Sequence, residues 1–260
     1  MRLALVIVAL LSGWTPTHDT PVTEGAKAKP LKAPSQAIRA IPLTREQVQA
    51  ALDSIGREHS VAITWDESGE LAPLTWQKAT VTQVEAFLPT MREALGSYPN
   101  GVFAKERLET IVLASDLTNA GEHCNGIAVR EAAALFVNVG DVWTAETVRH
   151  SIHHEIFHLI DSIDDQQWSA LSDPRFPYGT LSIADWRAAP PAGFVTAYAR
   201  TSPREDRAEV FSMLVAEPSA ISRRARGDEC LRKKIALLKS ALEQEGFDAG
   251  FWNAARLPGR

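Results

Sequence analysis

The sequence predicts an α+β domain with a cleft between a sheet-bearing lobe and a helical lobe, and three features predict it. Strand-like alternation is confined to the first part of the chain, over residues 61–65, 109–117 and 133–139. A long helical pattern occupies the middle, over residues 144–164, and the remainder is mainly helical. Elements segregated in this order suggest helices packed to one side of a small sheet.

Each element has a local cause. Thr44 caps a helix over residues 44–58, where Val48, Leu52 and Ile55 fall at helical spacing. Residues 61–65 alternate as a strand. A second helix over residues 80–95 places Val81, Val84, Leu88, Met91 and Leu95 on one side, and Pro89 within it should kink or split it. The strands at 109–117 and 133–139 are joined by a turn through Gly121, Asn125 and Gly126. Residues 172–197 hold Pro174, Pro177, Pro190 and Pro191 and form a long connection. Further helices start near Ser202 and span residues 228–244. No internal repeat and no stable membrane span is expected.

The 260 residues, 45% hydrophobic, are ample for one core with two lobes. Net charge is −5, so no field favours nucleic acid or an anionic membrane. Arg223, Arg224, Arg226, Arg232, Lys233 and Lys234 alternate with Asp228 and Glu229 and are expected to form a solvated helix face. Met1-Arg2 followed by the apolar run 3–11 and Ser12-Gly13 has the layout of a signal peptide over residues 1–13. Export to the periplasm or the medium is therefore expected. Residues 14–42, with five prolines and Lys27, Lys29 and Lys32, are expected to be a linker or pro-segment, leaving 43–260 as the folded domain. Pairing of Cys124 with Cys230 stays open, and their separation argues against a cysteine metal site.

The chemistry centres on His154-Glu155-Ile156-Phe157-His158. At a helical step of about 100°, His158 falls about 40° from His154, Asp161 about −20° and His150 about −40°. Val148, Ile152, Ile156, Leu159 and Ile163 cluster opposite, as a core stripe. Two imidazoles one turn apart can hold one Zn²⁺ per chain, with Glu155 beside them as a base. His153 points away and is expected to be structural. His150 suits a surface or supporting role.

A catalytic zinc needs three protein ligands and an open position. No histidine follows His158, so the third ligand is a carboxylate or a cysteine: Asp161, Asp164, Asp165, Asp185, Glu205, Asp206, Glu209, Glu217 or Cys230. Asp161 is better placed to accept a proton from a ligating histidine. Glu205 and Glu209 are the best pair, four apart on one helix. Ser202 with Glu205 also forms a capping-box pattern, with Pro203 at the first helical position, and local spacing favours that role for Glu205.

These two segments, His154 to Asp161 and Tyr198-Ala-Arg-Thr-Ser-Pro-Arg-Glu205-Asp-Arg-Ala-Glu209-Val-Phe211, resemble the active-site pair of the anthrax lethal factor-like zincins. The Pro-Pro endopeptidases and the bacterial zinc-binding metallopeptidases share the arrangement. The resemblance covers residues 150–215 and implies a zincin-like fold, with sheet and helical lobes flanking an active-site helix. It implies gluzincin-like ligation by His154, His158 and Glu205, with Glu155 as base. Tyr198 would donate to the reacting carbonyl and Glu209 would support the ligands. The expected activity is peptide-bond hydrolysis on a peptide or protein substrate. From its strand pattern alone, and not from the resemblance, 133–139 is expected to form the cleft's upper edge and pair with an extended peptide. A silent extracellular binding module and a hydrolase of non-peptide amides are the competing expectations.

Overall fold

The computed structural model describes residues 42–98, 101–103, 108–140, 145–243 and 245–254. The expected signal peptide, and the linker up to residue 41, lie outside the described residues.

The first helix, α1 (Arg45–His59), starts where Thr44 predicts. The Thr44 hydroxyl accepts from the Gln47 amide, and the Gln47 side chain accepts from the Thr44 amide at 2.8 Å. Gly56 lets the chain fold back closely, since a β-carbon there would lie 2.5 Å from the Val61 carbonyl oxygen. Strand β1 (Ala62–Thr64) follows. A hairpin of β2 (Gly69–Leu71) and β3 (Leu74–Lys78) comes next, where the sequence, with its Gly69 and Pro73, signals no strand.

Helix α2 (Val81–Gly96) runs unbroken through Pro89. Its buried face of Val84, Phe87, Met91, Ala94 and Leu95 packs on α1, and this burial outweighs the one backbone bond that proline removes. Strand β4 (Thr110–Asn119) organises the sheet. It pairs in parallel with β1 and with β7 (Ala134–Asn138), and antiparallel with β3 and β5 (Glu122–His123). Strand β6 (Gly126–Val129) pairs antiparallel with β7 and ends the order β2-β3-β4-β7-β6. The expectation that residues 133–139 form the cleft edge is therefore corrected. β7 is paired on both sides and buried throughout, and β6 is the edge.

Helix α3 (Ala145–Ile160) stops short of residue 164 for a local reason. Asp161 Oδ1 accepts from the Ile163 amide at 3.0 Å, and the Asp164 side chain caps α4 (Asp165–Ser169). The long connection contains α5 (Ile183–Arg187), and a 3₁₀ turn, Tyr198–Arg200, follows it. The lower lobe is α6 (Pro203–Ala216), α7 (Pro218–Ala225), α8 (Glu229–Glu243) and α9 (Ala249–Ala254). α3 lies between sheet and lower lobe, touching β6 and β7 above and α6 below. The main core runs continuously from α1 and α2 under the sheet and across α3 to α8; a smaller cluster, including Leu74, Leu117 and Phe136, covers the other sheet face.

The basic stretch is not simply a solvated face. Lys234 is fully buried against Asp206, and Arg224 donates to the carbonyls of Pro190, Phe194 and Val195. These cations hold the 190–195 segment onto the lower lobe. Cys124 and Cys230 are both free thiols. His153 is structural: its Nδ1 lies 2.8 Å from the buried Tyr98 hydroxyl, and burial pushes its pKa down to about 3.

Candidate metal centre

Helix α3 carries the first half of the site. His154 and His158, one turn apart, turn their rings nearly perpendicular, at 86°, and bring their Nε2 atoms to 3.1 Å. Both rings are buried, and the same helix packs its opposite face, from Val148 to Leu159, into the core. Two imidazole nitrogens directed at one point have a single proton to share between them, or a cation.

Helix α6 brings the second half. Glu205 Oε2 lies 2.9 Å from His154 Nε2 and 3.3 Å from His158 Nε2. The ligand-type atoms of His154, His158 and Glu205 all lie within 4.8 Å of one another. The two roles open to Glu205 are shared out between its backbone and its side chain. Ser202 Oγ accepts from the Glu205 amide at 3.1 Å and caps α6, while the carboxylate faces the histidines. The cap thus holds the backbone that aims the carboxylate.

Glu209, one turn further along α6, places Oε1 2.8 Å from His154 Nδ1, and its Oε2 accepts from the Thr196 hydroxyl at 2.7 Å. A proton donated from Nδ1 to Glu209 leaves the Nε2 lone pair directed at the triad, the tautomer a cation requires. The electrostatics agree. Burial alone lowers the His154 pKa, but the bonds to Glu205 and Glu209 outweigh it and raise the value well above the usual range. Glu205 is opposed by burial and is still held far below the ordinary carboxylate value by both histidines. The Glu209 pKa is lowered as well, the nearby His150 and the bond to His154 overcoming burial. Two imidazoles and one carboxylate, converging with a further carboxylate behind, fit Zn²⁺ with three protein ligands and one open position.

Asp161 does not take the supporting role expected for it. Its carboxylate binds Arg207, 2.8 Å from Nε and 2.7 Å from Nη2. Asp161 shares the face of His154 in projection, but seven residues place it about 10 Å further along the axis. Arg207 also reaches Asp165 at 2.8 Å, tying α6 to the end of α3. The other candidate ligands are engaged elsewhere: Asp164 in a cap, Asp185 with Arg200 and Ser182, and Asp206 with Lys234. Among the described residues, neither Glu217 nor Cys230 joins the triad.

Glu155 leans the other way, towards the sheet. Its Oε2 accepts from the Ala128 amide of β6 at 2.9 Å, and it is only half-buried. Gly126 makes room, since a β-carbon there would lie 3.2 Å from Glu155 Cγ. Tyr198 stands beside the triad, its ring centroid 5.8 Å from that of His154. Burial, then the nearby Glu205 charge, raises its pKa far above the phenol range, so it remains an O–H donor. Trp186 of α5 stacks on Tyr198 at 6.3 Å, and the Arg200–Asp185 pair at 2.9 Å ties α5 to the same turn.

Some neighbours escape sequence reasoning. Arg204 Nε donates to His158 Nδ1 at 3.2 Å, and Arg130 Nη2 donates to the His158 carbonyl at 2.6 Å. Arg204 stands in the motif without a signal of its own, and Arg130, Trp186 and Thr196 belong to segments with no periodicity.

The fold and the site have parallels among known proteins. Residues 117–245 match a family described as "Putative zinc-binding metallo-peptidase". The crystal structure of a putative zinc-binding metallo-peptidase from Bacteroides caccae ATCC 43185 is similar at a TM-score of 0.54 and 16% identity, covering 83% of this chain and 94% of that one. No curated protein matches. The likeness to the solved structure concerns the fold, which is of the α+β class expected, with a small mixed sheet and several helices. The resemblance carried by the two motif segments to bacterial zinc-binding metallopeptidases thus holds over a matched stretch that contains both.

Proposed function

We propose, from this resemblance to a zinc-binding metallopeptidase family, that the chain is an exported enzyme hydrolysing peptide bonds with one Zn²⁺. The observation that carries it is the meeting of His154, His158 and Glu205 within 4.8 Å, with Glu155 and Tyr198 on either side. His154, His158 and Glu205 would hold the ion, and Glu209 would orient His154 through Nδ1. Bound there, zinc would polarise the scissile carbonyl and acidify an attacking water.

The chain's own groups would do the rest. Glu155 takes the proton of the attacking water and passes it to the leaving amine. Its bond from the Ala128 amide holds the carboxylate between α3 and the edge strand β6. Tyr198 donates a hydrogen bond from its hydroxyl to the oxygen that gains charge, a contribution of about 2.7–4 kcal/mol for comparable donors. An extended peptide would run along β6, the sheet edge beside α3.

Glu155→Gln is expected to abolish hydrolysis of a peptide library while metal analysis still finds zinc bound. Retained turnover by that variant would remove Glu155 from the mechanism. Chelator-resistant cleavage by the parent chain would remove zinc. Export rests on the layout of residues 1–13 and predicts a shortened N-terminus on protein recovered outside the cytoplasm.

A further inference from the structure

We infer that Arg130 and Arg204 form a carboxylate-binding subsite on the His158 side of the cleft, one that selects a peptide substrate by its negative charge. The inference rests on the peptide-hydrolysing function proposed above and names its substrate class.

The two arginines reach one residue from opposite lobes. Arg130 follows the edge strand β6 and donates to the His158 carbonyl at 2.6 Å. Arg204 lies in the first turn of α6, next to Glu205, and donates to His158 Nδ1 at 3.2 Å. Both residues are exposed. His158 thus has one exposed arginine from the sheet side and one from the helical lobe on it.

Among the described residues, neither guanidinium has the carboxylate partner that neighbouring arginines have. Arg207 is held by Asp161 and Asp165, and Arg200 by Asp185. Among the described residues no carboxylate pairs with Arg130 or Arg204, and each uses one N–H of its guanidinium in the contacts above. The Arg204 guanidinium keeps both terminal amino groups, the planar fork that matches a carboxylate.

The carboxylate could be an Asp or Glu side chain, or the C-terminus of the substrate.

The zinc-loaded full chain should be given a peptide library in both free-acid and C-terminally amidated forms. Asp or Glu enriched at one fixed distance from the cut identifies a side-chain carboxylate. Cuts at a fixed distance from a free C-terminus, lost on amidation, identify the chain end. Arg130→Gln and Arg204→Gln should each raise KM for the preferred peptide about tenfold, the scale of one charge-assisted hydrogen bond. kcat should change less than about twofold, and KM for an uncharged peptide should not move, because the neutral substrate makes no such bond.

Binding supplies a second readout. The zinc-loaded Glu155→Gln variant should be titrated calorimetrically with a short Asp/Glu peptide, its Asn/Gln counterpart, and the free-acid and amidated forms of a neutral one. A charged member should bind about tenfold tighter than its uncharged partner. Added salt and Arg204→Gln should both erase that gap. Equal binding within every pair overturns the subsite, whether or not the chain cleaves peptides. Absence of all cleavage, with the gap in binding intact, overturns the hydrolytic function and leaves the subsite standing.

Discussion

Replacing Lys234 with Met tests how the lower lobe is held behind the triad. Lys234 Nζ lies 2.6 Å from Asp206 Oδ2, 2.8 Å from the Gly193 carbonyl and 4.1 Å from the Phe194 ring centroid. Both charged side chains are 0% exposed. The same Asp206 oxygen accepts from Trp168 Nε1 at 2.8 Å and from the Tyr178 hydroxyl at 2.7 Å. Helices α4, α6 and α8 thus meet on one carboxylate, at the residue next to Glu205. Methionine keeps much of the lysine stem's volume but removes the charge. It leaves a buried carboxylate with two neutral donors and the Gly193 carbonyl without its donor.

Removing one partner of a fully buried pair costs about 3–5 kcal/mol, a large share of the roughly 5–15 kcal/mol that stabilises a typical domain. Urea unfolding of parent and variant at equal zinc load measures the difference. An Asp206→Leu, Lys234→Met double variant removes both charges and should recover at least half of the loss, since no unpaired ion remains. The pH dependence has a definite sign. Burial raises the Asp206 pKa, while Lys234, Tyr178 and Trp168 oppose it. Without Lys234 the folded state holds this proton more strongly still, whereas the unfolded chain releases it at the ordinary value. Stability therefore falls as pH rises through and above the carboxylate range, so the variant's deficit is smallest in acid. A loss under about 1 kcal/mol at neutral pH, against the cost expected of a broken buried pair, or a pH-independent one, would refute the reasoning and leave only the packing of the stem.

Two further outcomes concern the triad itself. In the metal-free protein the raised His154 pKa gives stability that is complete below the unfolded value of 6.5 and is lost as pH rises through the folded value. The depressed Glu205 pKa gives stability complete above its unfolded value of 4.5 and lost as pH falls. Metal-free Tm should therefore decline from about pH 6.5 upward, and the stabilisation by added zinc should grow over the same range; a zinc increment independent of pH would show that no His154 proton is displaced. Ser202→Ala should cost about 1 kcal/mol by loss of the α6 cap, and should also weaken zinc binding in a chelator competition, because the cap aims Glu205. A change in stability with unaltered zinc affinity would mean that other contacts place the carboxylate.

Much of the fold is legible because its signals are local. Thr44, Thr80 and Ser202 start helices wherever a hydroxyl can take an orphan amide, and α3 shows its core stripe by periodicity alone. The short strands β2, β3 and β6 leave no such trace, since three to five residues hold too little alternation to stand out and are strands only because β3, β4 and β7 respectively pair with them. The same holds for charge. Lys234 in sequence looks like any surface lysine, and its burial depends on Asp206, 28 residues away.

By itself the sequence determined the α+β class, the helix that sets His154 and His158 on one face and, by resemblance, Glu205 and Glu209 as their partners. Spacing along one helix is enough for the first pair, because residues four apart must lie one above the other. Only the tertiary structure decided that Asp161 serves Arg207 and leaves the histidines to Glu209, that β6 and not β7 is the free edge, and that Arg130 and Arg204 converge on His158. Those outcomes depend on the register between α3, α6 and the sheet. That register is set by how the helices pack over the shared core, which no run of neighbouring residues encodes.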